Sequence, residues 1–329
     1  MSKNLRAGLI GIGAMGRHHA RVLATLSGVD FVGVSDPAGD VNNVAQGRPI
    51  FKSIDELIAL GIDYAVVAVP TIHHLEVGTE LANAGIHALV EKPISQDMVT
   101  SRALATIFSK ARLVGAVGHI ERYNPALQEA QRRLEQLGSL YQVVTRRQGS
   151  YPSRISDVGV ILDLATHDID LTSWLTSQHY VSVMASTALR TGNKHEDLVA
   201  IIGTLRDGTI TNHLVNWLSP LKERVTIITG ENGAFVADTL TADLTFYANG
   251  TVTSEWEGIT QFRGVSEGAV IRYAIPKLEP LRLEHEHFRD AVLGKSADIV
   301  TMEQGLTTIL VAEAVIESAR MNQNIKIQF

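Results

Sequence analysis

The segment Gly11-Ile12-Gly13-Ala14-Met15-Gly16 constrains this chain more than any other, because it stands between an apolar run and a helical pattern. In such a turn the first glycine permits the tight bend and the second lets backbone approach a pyrophosphate. The third allows close packing of helix on strand. The amides at the start of the helix then meet the phosphate charge. A glycine-rich turn with no ligand is the competing reading, and the strand–turn–helix context is what separates the two. Asp36 ends the next apolar run, 20 residues after Gly16. A carboxylate there accepts from a ribose 2′-hydroxyl and repels a 2′-phosphate. Pro37 follows it rather than an arginine, so NAD is expected over NADP, with a plain turn role for Asp36 as the alternative.

Up to about residue 120, short apolar runs alternate with helical patterns. Strands are expected at Arg6–Ile10, Phe31–Ser35, Tyr64–Val69, Ala88–Glu91 and Leu113–His119, and helices at Met15–Leu26, Ile54–Leu60, His74–Ala84 and Met98–Lys110. Ser53 and Glu56 form a capping box for the second helix. Continuous apolar strands separated by helices imply a parallel sheet covered on both faces, hence a doubly wound α/β Rossmann domain over residues 1–120. The texture then changes. Helices are expected at Ala126–Leu137, Val158–Leu175, Leu283–Val292 and Gly305–Arg320, and a strand near Tyr141–Gln148. Hairpins are read at Leu198–Leu205 with Ile210–Trp217, Val225–Thr229 with Ala234–Ala237, and Leu244–Tyr247 with Val252–Trp256, joined through Asp-Gly and Asn-Gly turns. Residues 121–329 are therefore expected to form an α+β domain with a large open, mainly antiparallel sheet. One face of such a sheet is left for another subunit, so a homodimer or homotetramer is expected.

The chain has 329 residues, and its net charge of −6 leaves no basic footprint for nucleic acid. With no cysteine, thiolate chemistry and cysteine-built metal sites are excluded. No signal-peptide pattern and no long apolar stretch is read, so a soluble, cytoplasmic protein with no membrane partner is expected.

Glu91-Lys92-Pro93 falls at the end of the Ala88–Glu91 run, at the edge where open α/β sheets bind ligands. A lysine there, beside a nicotinamide, stabilises charge on a substrate oxygen; a surface lysine before a proline turn is the alternative. Val69 and Pro70 end the preceding strand, and of the His73-His74 pair that follows, His74 is read with the cofactor residues, as is His119. Asp163 and His167 stand four apart on one face of a helix candidate, with Asp170 a turn further on. A carboxylate sets the tautomer of such a histidine and stabilises its imidazolium, which suits a general base or acid. A structural i,i+4 pair is the competing reading. A metal pair is not expected, since no second histidine shares the face. Arg146, Arg147, Arg154, Lys222, Arg224, Arg263 and Arg272 are candidate cations for a phosphate, or ordinary solvated side chains.

These residues together resemble the Gfo/Idh/MocA oxidoreductases over essentially the whole chain. The resemblance rests on Gly11–Gly16, Val69-Pro70-Thr71-Ile72-His73-His74, Glu91-Lys92-Pro93, His119-x-Glu121-Arg122-x-Asn124-Pro125 and Asp163-x-x-x-His167. It implies NAD(P)-dependent oxidation of a secondary alcohol on a sugar or cyclitol, with Lys92, Asp163 and His167 as the catalytic residues. Within that family, Arg146–Asp170 is similar to the corresponding stretch of UDP-N-acetylglucosamine 3-dehydrogenases, although Ser150 stands where their pattern has a proline. That narrower likeness implies oxidation of the 3-hydroxyl of a nucleotide sugar, with Arg154 and Asp157 on a loop near the substrate. Glu121, Arg122 and Asn124 are expected to face the substrate with His167, a structural hinge role being the alternative. The remaining readings are a dehydrogenase of inositol or of an unlinked sugar, and a non-catalytic NAD(P)-binding regulator.

Overall fold

A strand of a parallel sheet is covered on both faces, and Tyr64–Val67 carries no charged side chain and is buried along its whole length. In the computed structural model, which describes residues 4–151, 158–192, 194–250 and 267–328, this run lies at the centre of a six-stranded sheet. The strands are β1 (Leu5–Ile10), β2 (Val29–Ser35), β3 (Ile50–Phe51), β4 (Tyr64–Val67), β5 (His87–Glu91) and β6 (Gly115–Gly118). Every pairing is parallel, in the order β3-β2-β1-β4-β5-β6. The connections carry α1 (Gly16–Leu23), α2 (Ile54–Ile58), α3 (His74–Asn83) and α4 (Met98–Ala111). Strand order reverses between β1 and β4, which opens a crevice at the carboxyl ends of these two strands. Ser53 caps α2, its hydroxyl accepting from Glu56 N–H, as the capping box predicts.

The unit built on this sheet contains the residues up to Ile120 and also Glu279–Glu313. The sequence reading placed that later segment in the second domain, and two contacts explain the difference. Phe288 is buried edge-on against Tyr64, with ring centroids 5.4 Å apart, in the core that includes Leu9, Val34 and Val66. Val117 N–H, on β6 at the edge of the sheet, donates to Val300 O at 2.9 Å. The returning chain thus fills a core position and covers an exposed strand edge, both of which a Rossmann sheet leaves open.

The second unit runs from Glu121 to Leu278 and resumes at Ala314. It contains α5 (Pro125–Arg132), α6 (Thr166–Thr176) and a nine-stranded sheet. Its strands are β7 (Leu140–Ser150), β8 (Tyr180–Ala188), β9 (Leu198–Leu205), β10 (Ile210–Asn216), β11 (Leu218–Gly230), β12 (Gly233–Asp238), β13 (Asp243–Asn249), β14 (Glu267–Arg272) and β15 (Ile325–Lys326). All neighbours are antiparallel except β7 and β10. The β9–β10 hairpin turns at Gly208, whose φ of 91° suits glycine. The strand expected at Val252–Trp256 lies outside the described residues, and β13 pairs with β14 instead. One face of the sheet packs Val143, Ile228, Phe235 and Leu244 against Leu127, Leu171 and Leu175 of the helices. The other leaves Ile202 55% and Met184 45% exposed, at paired positions on β9 and β8.

The chain ends its helical content with α7 (Pro280–Val292) and α8 (Met302–Met321). Among the described residues no helix is long and apolar enough to cross a membrane.

Candidate functional site

The crevice between β1 and β4 is a cleft of about 550 Å³ lined by Gly11, Gly13, Asp36, Val69 and Pro70. The glycines divide their labour as the sequence suggests. A Cβ at Gly16 would stand 2.1 Å from Gly11 O, and one at Gly11, where φ is 88°, would stand 2.7 Å from Ala68 O. At Gly13 a Cβ would meet nothing within 4 Å, so backbone there is bare to the cleft. That is the cradle a pyrophosphate needs, and the residues fit NAD. Asp36 accepts from Ile12 N–H at 2.9 Å and from Ala38 N–H at 2.8 Å. Each carboxylate oxygen has a second lone pair, so Asp36 both ties the glycine turn to β2 and can still accept from a ribose. Ile12, Ala14, Met15 and Gly16 shape this turn without lining the cleft. Lys52 and His73 line it; sequence reasoning missed Lys52, and of the histidine pair it chose His74. Lys52 follows the two-residue β3, too short to show as an apolar run.

His74 corrects an expectation. It is 1% exposed, and its ring nitrogens lie 3.0 Å from Pro93 O and 3.1 Å from Val69 O. Burial lowers its pKa although the carbonyls oppose that. His74 is therefore a strut between two turns, and its neighbour His73 faces the cleft. Glu91 is likewise internal: its Oε1 is 2.7 Å from His19 Nε2, and its Oε2 accepts from Lys92 N–H at 3.1 Å. Burial alone would raise the Glu91 carboxyl, but the hydrogen bond and charge of His19 and the Lys92 ammonium hold it below its usual range. Lys92 itself is half-buried at the carboxyl end of β5. His119 is buried just past β6, its N–H donating to Val117 O.

In the second unit the expected helix Val158–Leu175 is not uniform. Ile161–Ala165 is wound as a π-helix, and α6 follows it directly. Glu196 starts the segment, its side chain accepting from Ile161 N–H at 3.1 Å and its backbone carbonyl from Val160 N–H at 2.9 Å. Asp163 is thus a buried residue of a π turn and His167 a half-buried one in the first turn of α6. Such interruptions recur where a side chain must be aimed rather than merely packed. Asp168 and Asp170 turn inward. Asp168 accepts from Arg147 Nε at 3.0 Å, and Arg147 Nη1 donates to Glu121 at 2.8 Å. Arg122 grips Asp170 through two bonds, of 2.8 and 2.6 Å. Burial opposes charge on Arg147, yet the Asp168 and Glu121 carboxylates hold its guanidinium above its ordinary range. Beneath them His213 bridges Thr145 and Tyr180, at 2.8 Å each, and burial with the charge of Arg147 lowers its pKa to about 3.

These pairs revise the roles expected for Glu121, Arg122 and Asn124. Glu121 and Arg122 are engaged by the protein's own buried charges. Asn124 caps α5, accepting from Ala126 N–H at 3.0 Å, and donates to Thr239 O. Arg122 directly, and Glu121 through Arg147, brace the segment that carries His167. Asp170, read on the same face as Asp163 and His167, belongs to this inner layer too. Arg154, Asp157 and Arg263 lie outside the described residues. Among the described residues no cluster of three or more histidine, aspartate or glutamate side chains could hold a metal ion.

Residues 5–119 match the family described as "Oxidoreductase family, NAD-binding Rossmann fold", and residues 135–327 match "Oxidoreductase family, C-terminal alpha/beta domain". The UDP-N-acetylglucosamine 3-dehydrogenase of Acidithiobacillus ferrooxidans is 31% identical over 293 residues, 88% of this chain and 89% of that protein. A solved structure of that enzyme is similar at a TM-score of 0.84 and 27% identity, covering 97% of this chain and 98% of the other. The NAD(+)-dependent scyllo-inositol 2-dehydrogenase of Bacillus subtilis is 30% identical over 195 residues, 56% of this chain and 57% of that protein. With both halves matched and the nucleotide cradle in place, this chain belongs to the Gfo/Idh/MocA family of NAD-binding oxidoreductases.

Proposed function

We propose that this dehydrogenase oxidises the 3-hydroxyl of UDP-N-acetylglucosamine or of a closely related nucleotide sugar. The observation that carries this reading is the 31% identity to a UDP-N-acetylglucosamine 3-dehydrogenase, which extends over 88% of the chain. The likeness to an inositol dehydrogenase extends over 56%. When bound, NAD supplies the acceptor for the hydride that leaves the carbinol carbon. Gly11, Gly13 and Asp36 would hold its pyrophosphate and ribose. His167 takes the proton from the substrate hydroxyl, and Asp163 orients the ring and stabilises the imidazolium. The Lys92 ammonium donates to the oxygen as negative charge develops on it. The bracing of α6 by Arg147 and Arg122 keeps His167 from shifting as its charge changes.

The test is NADH formation by the purified protein with UDP-N-acetylglucosamine, beside scyllo-inositol, myo-inositol and free hexoses. Turnover on the nucleotide sugar is expected. Turnover on an inositol alone would overturn the substrate, and NAD binding without turnover on any alcohol would point to a regulator.

We also infer that the open face of the nine-stranded sheet is covered by a second copy of the chain, giving a homodimer or homotetramer. The exposed Met184, Ile202 and Ile210 support this, since large apolar side chains in adjacent strands favour association. Light scattering of the wild type and of Ile202→Asp is the check, with dissociation expected in the variant.

A further inference from the structure

Lys92 sits on a turn whose two ends are held by different buried histidines. On the upstream side His19, with no exposed surface, meets Glu91 at 2.7 Å, and the other Glu91 oxygen accepts from the backbone N–H of Lys92. The carboxylate accepts, so His19 Nε2 donates to it, while His19 Nδ1 and His285 Nε2 lie 2.9 Å apart as a second buried contact. Burial, followed by the charges of His19 and Arg282, lowers the pKa of His285 well below the usual range. On the downstream side His74 lies 3.0 Å from Pro93 O and 3.3 Å from Ile94 O. Its second nitrogen lies 3.1 Å from Val69 O, beside the nucleotide cleft.

Buried imidazoles carry a desolvation cost that an apolar side chain of similar size avoids. Apart from the His285 and Val69 contacts, every close polar contact these two rings make ends on Glu91, Pro93 or Ile94, with His74 donating to the turn through its Nδ1–H tautomer. His19 stands on α1, the helix opened by the glycine turn, and His74 opens α3 behind Val69 and Pro70. The elements that seat the nucleotide therefore also fix the backbone on both sides of Lys92.

We propose that His19 and His74 are positioning residues for Lys92, clamping the Glu91–Ile94 turn so that the ammonium is held in one place whenever the nucleotide seat is formed. This rests on the reading that Lys92 serves the reaction. A displacement of about 1 Å at a reacting group costs about 100-fold in rate, so small slack in the turn is enough to matter.

The test uses the full-length protein and the variants His19→Leu, His19→Gln, His74→Leu and His74→Gln. Each is assayed for kcat, for sugar KM, for NAD affinity by calorimetry, and for the acetylation rate of Lys92 relative to the exposed Lys110 by mass spectrometry. The leucine variants are expected to lose about 10-fold to 100-fold in kcat, with NAD affinity and sugar KM near wild type and with the relative reactivity of Lys92 changed. Glutamine keeps a donor amide and is expected to recover most of both. Leucine variants that fold and keep both wild-type kcat and wild-type Lys92 reactivity would overturn the proposal. Should His19→Leu not fold, His19→Gln and the His74 pair decide the matter by the same readouts. If the wild type turns over no sugar while Lys92 reactivity shifts in the variants, the clamp stands and the functional reading falls. Turnover that is indifferent to all four substitutions does the reverse.

Discussion

In the first unit, the residues around Lys92 are held by imidazoles: His19 on Glu91 from one side and His74 on Pro93 and Ile94 from the other. In the second, the residues around His167 are held by guanidiniums: Arg147 between Asp168 and Glu121, and Arg122 on Asp170. The difference follows from what each scaffold already fixes. A turn at the end of a buried parallel strand lacks only short-range struts, which a rigid ring supplies. A helix opened by a π turn on one face of a sheet must be tied down across a wider gap, and the long, planar arginine fork spans it with directional bonds. Rings hold by placement; charges hold by attraction, and so depend on staying paired.

The largest effect should separate the group that moves a proton from the groups that brace it. His167→Asn is expected to cut kcat by about 10²–10⁴-fold with NAD affinity and Tm close to wild type; undiminished turnover would take His167 out of the mechanism. Next comes the arginine brace. Arg147→Met leaves the buried Asp168 and the half-buried Glu121 without their cation, and is expected to cost about 3–5 kcal/mol of stability in urea unfolding. Replacing Asp168 with Leu in the same chain should return part of that loss. A single Arg147→Met variant of wild-type stability would show that the two regions do not differ in kind.

Acid titration tests both regions. His213 has a folded pKa of about 3 against an ordinary 6.5, so the folded state holds it neutral. Its stabilising effect is fully present above 6.5 and is lost as pH falls from there toward 3. Glu91 has a folded pKa below its ordinary 4.5, so its contribution is present above 4.5 and is lost only as pH falls through the lower folded value. His74 and His285 of the first unit are lowered in the same direction as His213, so both units should begin to weaken below about 6.5, before the loss at Glu91 sets in. Hydrogen exchange resolved by peptide between about pH 7 and about pH 5 is the measurement, and His213→Gln should flatten the response of β7 and β10. A loss of protection in β7 and β10 that His213→Gln leaves unchanged would count against it. The smallest effect is expected at Asp36. Asp36→Ser removes the charge proposed to meet a ribose, and should weaken NAD by about tenfold, or about 1.4 kcal/mol, while improving NADP. An unchanged preference between the two would return Asp36 to a turn role.

Much of this molecule can be read from local pattern. Continuous apolar strands announced the parallel sheet, and Gly11–Gly16 located the crevice, because both depend on residues adjacent in sequence. The Asp-Gly turn gave the β9–β10 hairpin for the same reason. What escaped depends on distant partners. Glu121 and Arg122 looked available because nothing nearby in sequence neutralises them; their partners are Arg147 and Asp170, far along the chain. His74 and His73 are indistinguishable by pattern, and only the fold decides which is buried. The π turn at Ile161–Ala165 keeps Asp163 and His167 four apart, so spacing alone could not reveal it. Strands β3 and β15, two residues each, are below the length at which periodicity means anything.

The return of Glu279–Glu313 to the first unit has a bearing on synthesis. A ribosome releases the chain from its beginning, and domains ordinarily fold in that order. Here Phe288, which packs on Tyr64, and Val300, which covers the edge at Val117, emerge only after all of Glu121–Leu278 has been made. The nucleotide-binding half must wait, incompletely closed, until most of the second unit has been made, although it was begun first. A nonsense codon anywhere before Phe288 would cost both halves at once, rather than sparing the one encoded upstream.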